Sequence, residues 1–171
     1  MNLLSWNCRG LGPLHAVRQV TKMFNLYKPL VFFFIETKRK NQEMEWLRSR
    51  WRFDKCFTVE GIGRGGGLAL LWMEEVNIEV MSFSKYHIDV KVDDENNENA
   101  WRFTGFYGDP DTSKHSEAWT MLRRLKQCNN LPWLCVGDFN EIALEEEKLG
   151  GAVRPKHQML YFRETLLECN L

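Results

Sequence analysis

The sequence lacks an apolar run long enough to cross a membrane. Its longest such run, residues 29–35, falls far short of the roughly 18 residues that a membrane-spanning helix requires. It also lacks the charged lead of a secretory signal peptide, and it contains no internal repeat or low-complexity tract. We therefore expect a soluble, intracellular protein with no membrane partner.

Cysteine is scarce and irregularly placed. The chain has 5 cysteines, an odd number, and no two of them form a CxxC pair. This pattern argues against a disulfide framework and against a zinc site. We expect reduced thiols that are mostly packed in the interior. The cysteines are Cys8, Cys56, Cys128, Cys135 and Cys169.

The sequence has no excess charge of either sign. Its 23 basic and 23 acidic side chains balance, which excludes a uniformly basic nucleic-acid-binding protein. The distribution is uneven, since residues 1–60 carry 11 basic and 5 acidic side chains and residues 61–171 carry 12 and 18. A basic front half could face a polyphosphate while an acidic second half holds cations, although charged faces also segregate without any function.

Apolar residues make up 44% of the 171 positions, enough for a single domain with a real core. The first part of the chain predicts a strand at 2–7, a helix through Val17, Val20, Phe24 and Tyr27, a buried strand at 30–35 and a helix around Met44, Leu47 and Trp51. The rest predicts strands at 56–60, 68–72, 76–81, 86–92 and 101–106, a helix at 113–127 capped by Thr112 or Ser113, a strand at 133–137 and a helix through Met159, Phe162 and Leu166. This order suggests two sheets covered by helices on their outer faces.

Two loops separate these strands. Residues 61–67 are rich in glycine, which permits positive φ or close packing. They could be mistaken for a phosphate cradle, but they lack the Lys-Ser/Thr pair of a P-loop and open into a strand. Residues 93–99 are polar and predict a surface hairpin loop.

Polar side chains follow three of the apolar strands, at Asn7, Glu36 and the pair Asp138 and Asn140. Architectures of the α/β type place their sites at such strand ends. A carboxylate there is costly unless it is paired or bound to metal, although Glu36 could also be a solvated acid. We expect Gly137 to let the backbone turn sharply, so that the side chains of Asp138 and Asn140 point the same way. The same Asp-x-Asn pattern is frequent in ordinary turns.

Four blocks occur in order along the chain: Trp6-Asn7-Cys8-Arg9-Gly10-Leu11-Gly12, Glu36-Thr37-Lys38, Gly105-Phe106-Tyr107-Gly108 and Gly137-Asp138-Phe139-Asn140-Glu141. Together they resemble the endonuclease domains of plant non-LTR (LINE-type) retrotransposons, within the endonuclease/exonuclease/phosphatase superfamily. The resemblance continues through residues 147–151 and 162–166, so it covers essentially the whole chain. It implies a mixed α/β (α+β) fold, a four-layer αββα sandwich of the deoxyribonuclease-like type with its active site at the rim of the two sheets.

The resemblance also implies a role for each polar residue. Glu36 would bind Mg²⁺ or Mn²⁺, and Asn7 would help to position the metal and the scissile phosphate. Tyr107 would donate to a phosphate oxygen, Asp138 would orient or deprotonate the attacking water, and Asn140 would hold the phosphate. Tyr107 could instead be a strand aromatic and Asn7 a cap of the first turn. DNA would be the partner, the nucleus a plausible location, and no small-molecule cofactor is expected.

The sequence departs from the family pattern in places. Arg9 stands where some relatives carry a further metal-side aspartate, which should weaken a second metal position, while Arg9 itself could contact phosphate. Asp109 or Asp111 near a phosphate would be repulsive. The chain stops before the family's Ser-Asp-His block, so we expect the C-terminal portion of the 1–171 domain to be absent, catalysis to be impaired and the isolated chain to self-associate. The four histidines are all expected on the surface: His15, His87, His115 and His157.

Three functions remain open at this point. The first is a metal-dependent DNA endonuclease. The second is a catalytically inactive retrotransposon-derived remnant that still binds metal or nucleic acid. The third is a phosphatase that acts on a small phosphoester, because the superfamily shares its core site among substrates.

Overall fold

A computed structural model describes residues 1–62, 65–93 and 99–171. Within these ranges the strands are β1 (Leu3–Asn7), β2 (Val31–Ile35), β3 (Lys55–Val59), β4 (Leu68–Trp72), β5 (Asn77–Ser84), β6 (His87–Asp93), β7 (Trp101–Tyr107) and β8 (Trp133–Asp138). The α-helices are α1 (Leu14–Tyr27), α2 (Asn41–Trp51), α3 (His115–Cys128) and α4 (Lys156–Cys169). Every strand and helix that the sequence predicts is therefore confirmed. The centre of the glycine-rich loop at 61–67 and most of the polar loop at 93–99 lie outside the described residues.

The first sheet has the strand order β1-β2-β4-β3. Strands β1 and β2 are parallel, with Asn7 opposite Ile35, whereas β4 runs antiparallel to both of its neighbours. All five residues of β2 are buried, as its uninterrupted apolar sequence predicts. Helices α1 and α2 contribute to the same core, in which the ring of Trp51 stacks 5.4 Å from that of Phe34.

The second sheet has the order β5-β6-β7-β8. Its interior contains a buried ion pair, in which Nε of Arg102 donates to Oδ1 of Asp89 at 2.7 Å and Nη2 donates to Oδ2 at 2.9 Å. The hydroxyl of Thr104 also donates to Asp89. This pairing satisfies a carboxylate and a guanidinium that would otherwise be costly to bury.

Gly137 has a different role from the one predicted. Its φ is not positive, so the sharp turn expected there does not form at this residue. A Cβ at Gly137 would lie 1.8 Å from the carbonyl oxygen of Phe106, so glycine is needed because two backbones approach closely. The left-handed residue of this segment is Asn140, with φ 55°.

The chain divides into two compact units. The first comprises Met1–Phe106 with Pro132–Gly137, and it contains the facing sheets and helices α1 and α2. The second comprises Tyr107–Leu131 with Asp138–Leu171, where α3 and α4 pack through rings such as Trp119 and Phe162, 4.8 Å apart. The two sheets and four α-helices of the described residues confirm the predicted mixed α/β class. No helix within the described residues is both long and apolar enough to cross a membrane.

Several local predictions are corrected. Asp111 caps the turn before α3, in place of Thr112 or Ser113, because its carboxylate accepts from the Ser113 backbone N–H at 3.0 Å. His87 and His115 are buried, whereas His15 and His157 are exposed as expected. All five cysteines are free thiols, with Cys8 and Cys169 buried and Cys128 exposed.

Candidate active site

Asn7 and Glu36 meet at one edge of the first sheet. Because β1 and β2 are parallel, their carboxyl ends lie side by side, with Asn7 the last residue of β1 and Glu36 the residue after β2. The Asn7 amide nitrogen Nδ2 donates a hydrogen bond of 2.9 Å to Oε1 of Glu36. The side chains at these two strand ends therefore form one polar group.

Glu36 is held in a strained backbone conformation. Its φ is 55°, and Lys38 has a φ of 50°, a region that costs non-glycine residues about 1–3 kcal/mol each. The segment is braced by the glycine-rich loop, since the backbone N–H groups of Thr37 and Lys38 donate to the carbonyls of Gly67 and Gly66 at 3.0 and 3.1 Å. The described part of that loop thus offers carbonyl oxygens to the site segment, which fits a brace and not a phosphate cradle.

The carboxylate of Glu36 lies close to a basic side chain, that of Lys38. Nζ of Lys38 lies 3.5 Å from Oε2 of Glu36, whose side chain is only 18% exposed. Glu36 is therefore a paired, largely buried acid and not a freely solvated one. Asn7 also caps the following turn, because its Oδ1 accepts from the backbone N–H of Arg9 at 3.0 Å, while the Arg9 residue is exposed. The two roles considered for Asn7 are thus compatible.

Cys8 lies beside this polar group, and its thiol is in an environment that lowers its reactivity. Burial raises the pKa of its thiol to about 11, and the nearby Glu36 carboxylate acts in the same direction. The thiol donates to the carbonyl of Ile35 at 3.1 Å. A raised thiol pKa makes the reactive thiolate scarce at neutral pH, which together with burial fits a packing role for Cys8.

Tyr107, Asp138 and Asn140 belong to the second compact unit. The backbone N–H of Gly108 donates to the carbonyl of Asp138 at 2.8 Å, and the Asn140 side-chain amide donates to the carbonyl of Gly108 at 2.7 Å. Oδ1 of Asp138 accepts from the backbone N–H of Asn140 at 3.0 Å. These bonds join the segment after Tyr107 to the Asp138–Asn140 turn, while Tyr107 itself is buried.

The residue after this turn, Glu141, is the site feature that sequence reasoning missed. Its side chain has no solvent exposure, and Nε of Arg154 lies 2.8 Å from its Oε1. Nδ1 of His115 lies 3.2 Å from its Oε2. These close contacts are not aligned hydrogen bonds, since His115 Nδ1, Glu141 Oε2 and Arg154 Nε have no hydrogen-bond partner among the described residues.

The three residues anchor both sides of the turn. His115 Nε2 lies 2.9 Å from the backbone carbonyl of Asp109, which can only accept, so this ring nitrogen carries a proton. Nη2 of Arg154 lies 3.5 Å from the carbonyl of Asn140. The name Glu141 clamp is used below for His115, Glu141 and Arg154. The sole signal for it in the sequence is the glutamate at the end of the Gly-Asp-Phe-Asn-Glu block, with nothing to identify its partners.

Residues 4–165 match the Endonuclease/Exonuclease/phosphatase family, almost the full length of the sequence. The chain belongs to this family. Membership confirms the superfamily that the four sequence blocks indicated. Among curated proteins, no sequence match was found.

Solved structures of nucleases and phosphatases share the family fold with this chain. An AP endonuclease from Archaeoglobus fulgidus is 15% identical with a TM-score of 0.64, over 96% of this chain and 69% of that one. The endonuclease domain of TRAS1, a telomere-specific non-LTR retrotransposon, is 12% identical with a TM-score of 0.68, over 98% of this chain and 69% of that one. A 3′ phosphatase from Neisseria bound to product DNA hairpin is 12% identical with a TM-score of 0.64, over 97% of this chain and 70% of that one. At these identities the likeness establishes the fold.

The family resemblance implies a divalent cation at Glu36. The residues present there suit a cation that takes only one or two ligands from the protein. Within residues 1–62, 65–93 and 99–171, no three His, Cys, Asp or Glu side chains cluster as a complete metal cage. Mg²⁺ does not need one, because it keeps several waters and binds through one or two carboxylates plus substrate phosphate. Glu36 offers an oxygen ligand, and the Lys38 ammonium beside Oε2 would have to move away for a metal cation to bind there.

Proposed function

We propose that the chain is a divalent-metal-dependent phosphodiester hydrolase that cuts DNA, of the type found in LINE-like retrotransposons. The observation that carries this proposal is the hydrogen bond between Asn7 and Glu36, which fixes a carboxylate at the shared edge of two parallel strands. Family membership and neighbours whose names describe DNA-processing nucleases support it. A nuclear location would accompany such an activity.

Glu36 would hold the cation, and Asn7 would fix the direction in which the carboxylate points. When bound, Mg²⁺ or Mn²⁺ supplies charge neutralisation and polarisation of the phosphate. Lys38 is 40% exposed at its side chain, so its ammonium can leave Glu36 for a phosphate oxygen. Arg9, exposed beside Asn7, would add its guanidinium as a second cationic contact to the DNA backbone.

Asp138, Asn140 and Tyr107 would serve the phosphate and the water. Asp138 would orient or deprotonate the attacking water, which requires a carboxylate at a fixed position. Its Oδ1 is fixed by the Asn140 backbone N–H. The Asn140 amide has two N–H groups, one of which donates to Gly108, so the other is suited to a phosphate oxygen. Tyr107 would donate its hydroxyl to the same group.

Plasmid nicking tests this function. The purified chain should convert supercoiled plasmid to the open circle in MgCl₂ and not in EDTA. Asp138→Asn should lower the rate by about 10²–10⁴-fold, the usual contribution of a general base. Glu146→Gln is the matched control, because Glu146 is an exposed acid on the same compact unit. Equal nicking by wild type and Asp138→Asn would refute the assigned role.

The other two functions are outcomes of the same experiment. If the chain binds labelled DNA but never nicks it, the inactive-remnant function is correct. If it hydrolyses p-nitrophenyl phosphate in an Asp138-dependent way and leaves plasmid intact, the protein is a phosphatase on small phosphoesters. Nicking that requires Mg²⁺ and Asp138 excludes both.

A further inference from the structure

A groove of about 460 Å³ lies between the start of α1 and the outer face of α2. Its floor is apolar and includes the buried side chains of Leu11 and Leu47. Leu14 and Trp46 form exposed walls. A concave apolar space of this size is typical of sites for small organic groups.

Trp46 is the unusual residue of the groove. The apolar residues of α2 that face the core are Met44, Leu47 and Trp51, whereas Trp46 is 62% exposed. Arg50, one helical turn further along, places its guanidinium carbon 5.5 Å from the centre of the Trp46 ring. The guanidinium lies over one face of the ring, so a base would stack on the other face. Exposed aromatic rings and arginines together are what single-stranded nucleic-acid-binding proteins use to stack bases.

The groove adjoins the candidate active site. Leu11 follows Asn7 by four residues and Arg39 follows Glu36 by three, which limits these separations to ~14 Å and ~11 Å of extended chain. The two loops are tied together, since the Leu11 backbone N–H donates to the Thr37 carbonyl and Nη2 of Arg39 donates to the Leu11 carbonyl, both at 3.0 Å. Both segments that leave the Asn7 and Glu36 pair therefore run directly into the groove.

The charge of the surroundings favours an anionic occupant. Arg39, Arg50 and the acid Glu43 line the groove, and because Glu43 pairs with Arg39, the net positive charge of the lining comes from Arg50. Residues 1–60 as a whole carry 11 basic and 5 acidic side chains. The amide of Gln42 adds a donor and an acceptor at the wall, a pair of groups suited to the edge of a base.

We propose that this groove binds an unpaired nucleobase of the DNA substrate, stacked on Trp46, with its phosphate beside Arg50. The inference rests on the proposed function for the identity of the polymer, and it assigns the groove to bases next to the cutting position. An apolar peptide or a second copy of the chain would not require the arginines, so the charge argues for nucleic acid.

The test is binding of dye-labelled oligonucleotides in EDTA, followed by fluorescence anisotropy. Three probes share one sequence: a single strand, a perfect duplex and a duplex with one bulged base. Trp46→Ala should weaken binding of the single strand and the bulged duplex by about 5- to 100-fold and leave the perfect duplex unchanged. Trp46→Phe should retain most of the affinity. The slope of log binding constant against log salt concentration should be the same in Trp46→Ala as in wild type, because stacking releases no counterions.

Tyr27→Ala is the matched control, since Tyr27 is an exposed aromatic at the far end of α1. The inference is overturned if wild type does not bind the single strand, or if Trp46→Ala binds all three probes as wild type does. It is also overturned if Trp46→Ala changes only the sedimentation coefficient, because the groove then holds a second copy. Plasmid nicking is scored separately, so a failure of the proposed activity leaves the binding result interpretable.

Discussion

Arg154 lies 2.8 Å from Glu141, a carboxylate with no solvent exposure that immediately follows the turn of Asp138 and Asn140. A buried carboxylate requires a partner of opposite charge, so the position of Glu141 depends on Arg154. The same arginine approaches the carbonyl of Asn140. The Glu141 clamp therefore couples the stability of this unit to the geometry of the turn.

Glu141→Gln should destabilise the protein by about 3 kcal/mol, the lower end of the range for breaking a buried pair, because Arg154 is partly exposed and can reach water. Urea denaturation followed by circular dichroism measures the change. Glu146→Gln, an exposed acid, should have little effect. A Glu141→Gln midpoint equal to that of wild type would show that the clamp contributes nothing to stability.

Gly108→Ala should disrupt the same turn by a steric route. An added Cβ would lie 1.9 Å from the carbonyl oxygen of Phe139, a backbone atom that cannot move aside alone. We expect destabilisation of at least ~1–3 kcal/mol, as for an overpacked core. Gly65→Ala is the control, because in the described part of the chain its Cβ would meet no non-neighbouring atom within 4 Å. Equal melting temperatures of the two variants would contradict the packing described for Gly108.

Patterns in the sequence were sufficient to predict the strands and helices. The apolar run of β2 and the helical spacing of Val17 and Val20 depend on local periodicity, which one sequence displays. Glu36 and Asn7 were also found this way, because each ends an apolar strand. Their hydrogen bond follows from the parallel pairing of β1 and β2.

The Glu141 clamp could not be found from the sequence, because it joins residues 13 and 26 positions away from Glu141 with no motif around them. The burial of His87 and His115 was missed for the same reason. The prediction for Gly137 was wrong about the cause: the sequence indicates that a small residue is needed, but a sharp turn and a close backbone approach give the same pattern. Capping by Asp111 was missed because three adjacent residues can all act as caps.

Stability should fall in mild acid because of His87. Burial lowers the pKa of His87 from 6.5 to about 4, with the Asp89 carboxylate opposing this shift and the Arg102 guanidinium adding to it. The unfolded chain therefore binds a proton between pH 6.5 and pH 4 that the folded chain does not. The contribution is full above pH 6.5 and decreases as the pH falls towards 4, by about 2 kcal/mol at pH 5.

Urea denaturation at pH 7.5 and pH 5 measures this effect. In His87→Gln the new side-chain amide can still form hydrogen bonds with Ser82 and Ser84. The free energy of unfolding should therefore fall between the two pH values by about 2 kcal/mol less in this variant than in wild type. An identical pH dependence in wild type and variant would exclude His87 as the source.

The most direct test of the proposed metal-dependent cutting is a MgCl₂ titration of the plasmid-nicking rate for wild type and Glu36→Gln. The variant keeps the shape of the side chain but removes the charge that would hold the cation. Wild type should show a saturable Mg²⁺ dependence, and Glu36→Gln should nick at least ~10-fold more slowly at every concentration, because changing a metal ligand or its immediate support costs about 10–100-fold. A Glu36→Gln titration that coincides with the wild-type curve would contradict the assignment of the metal site to Glu36.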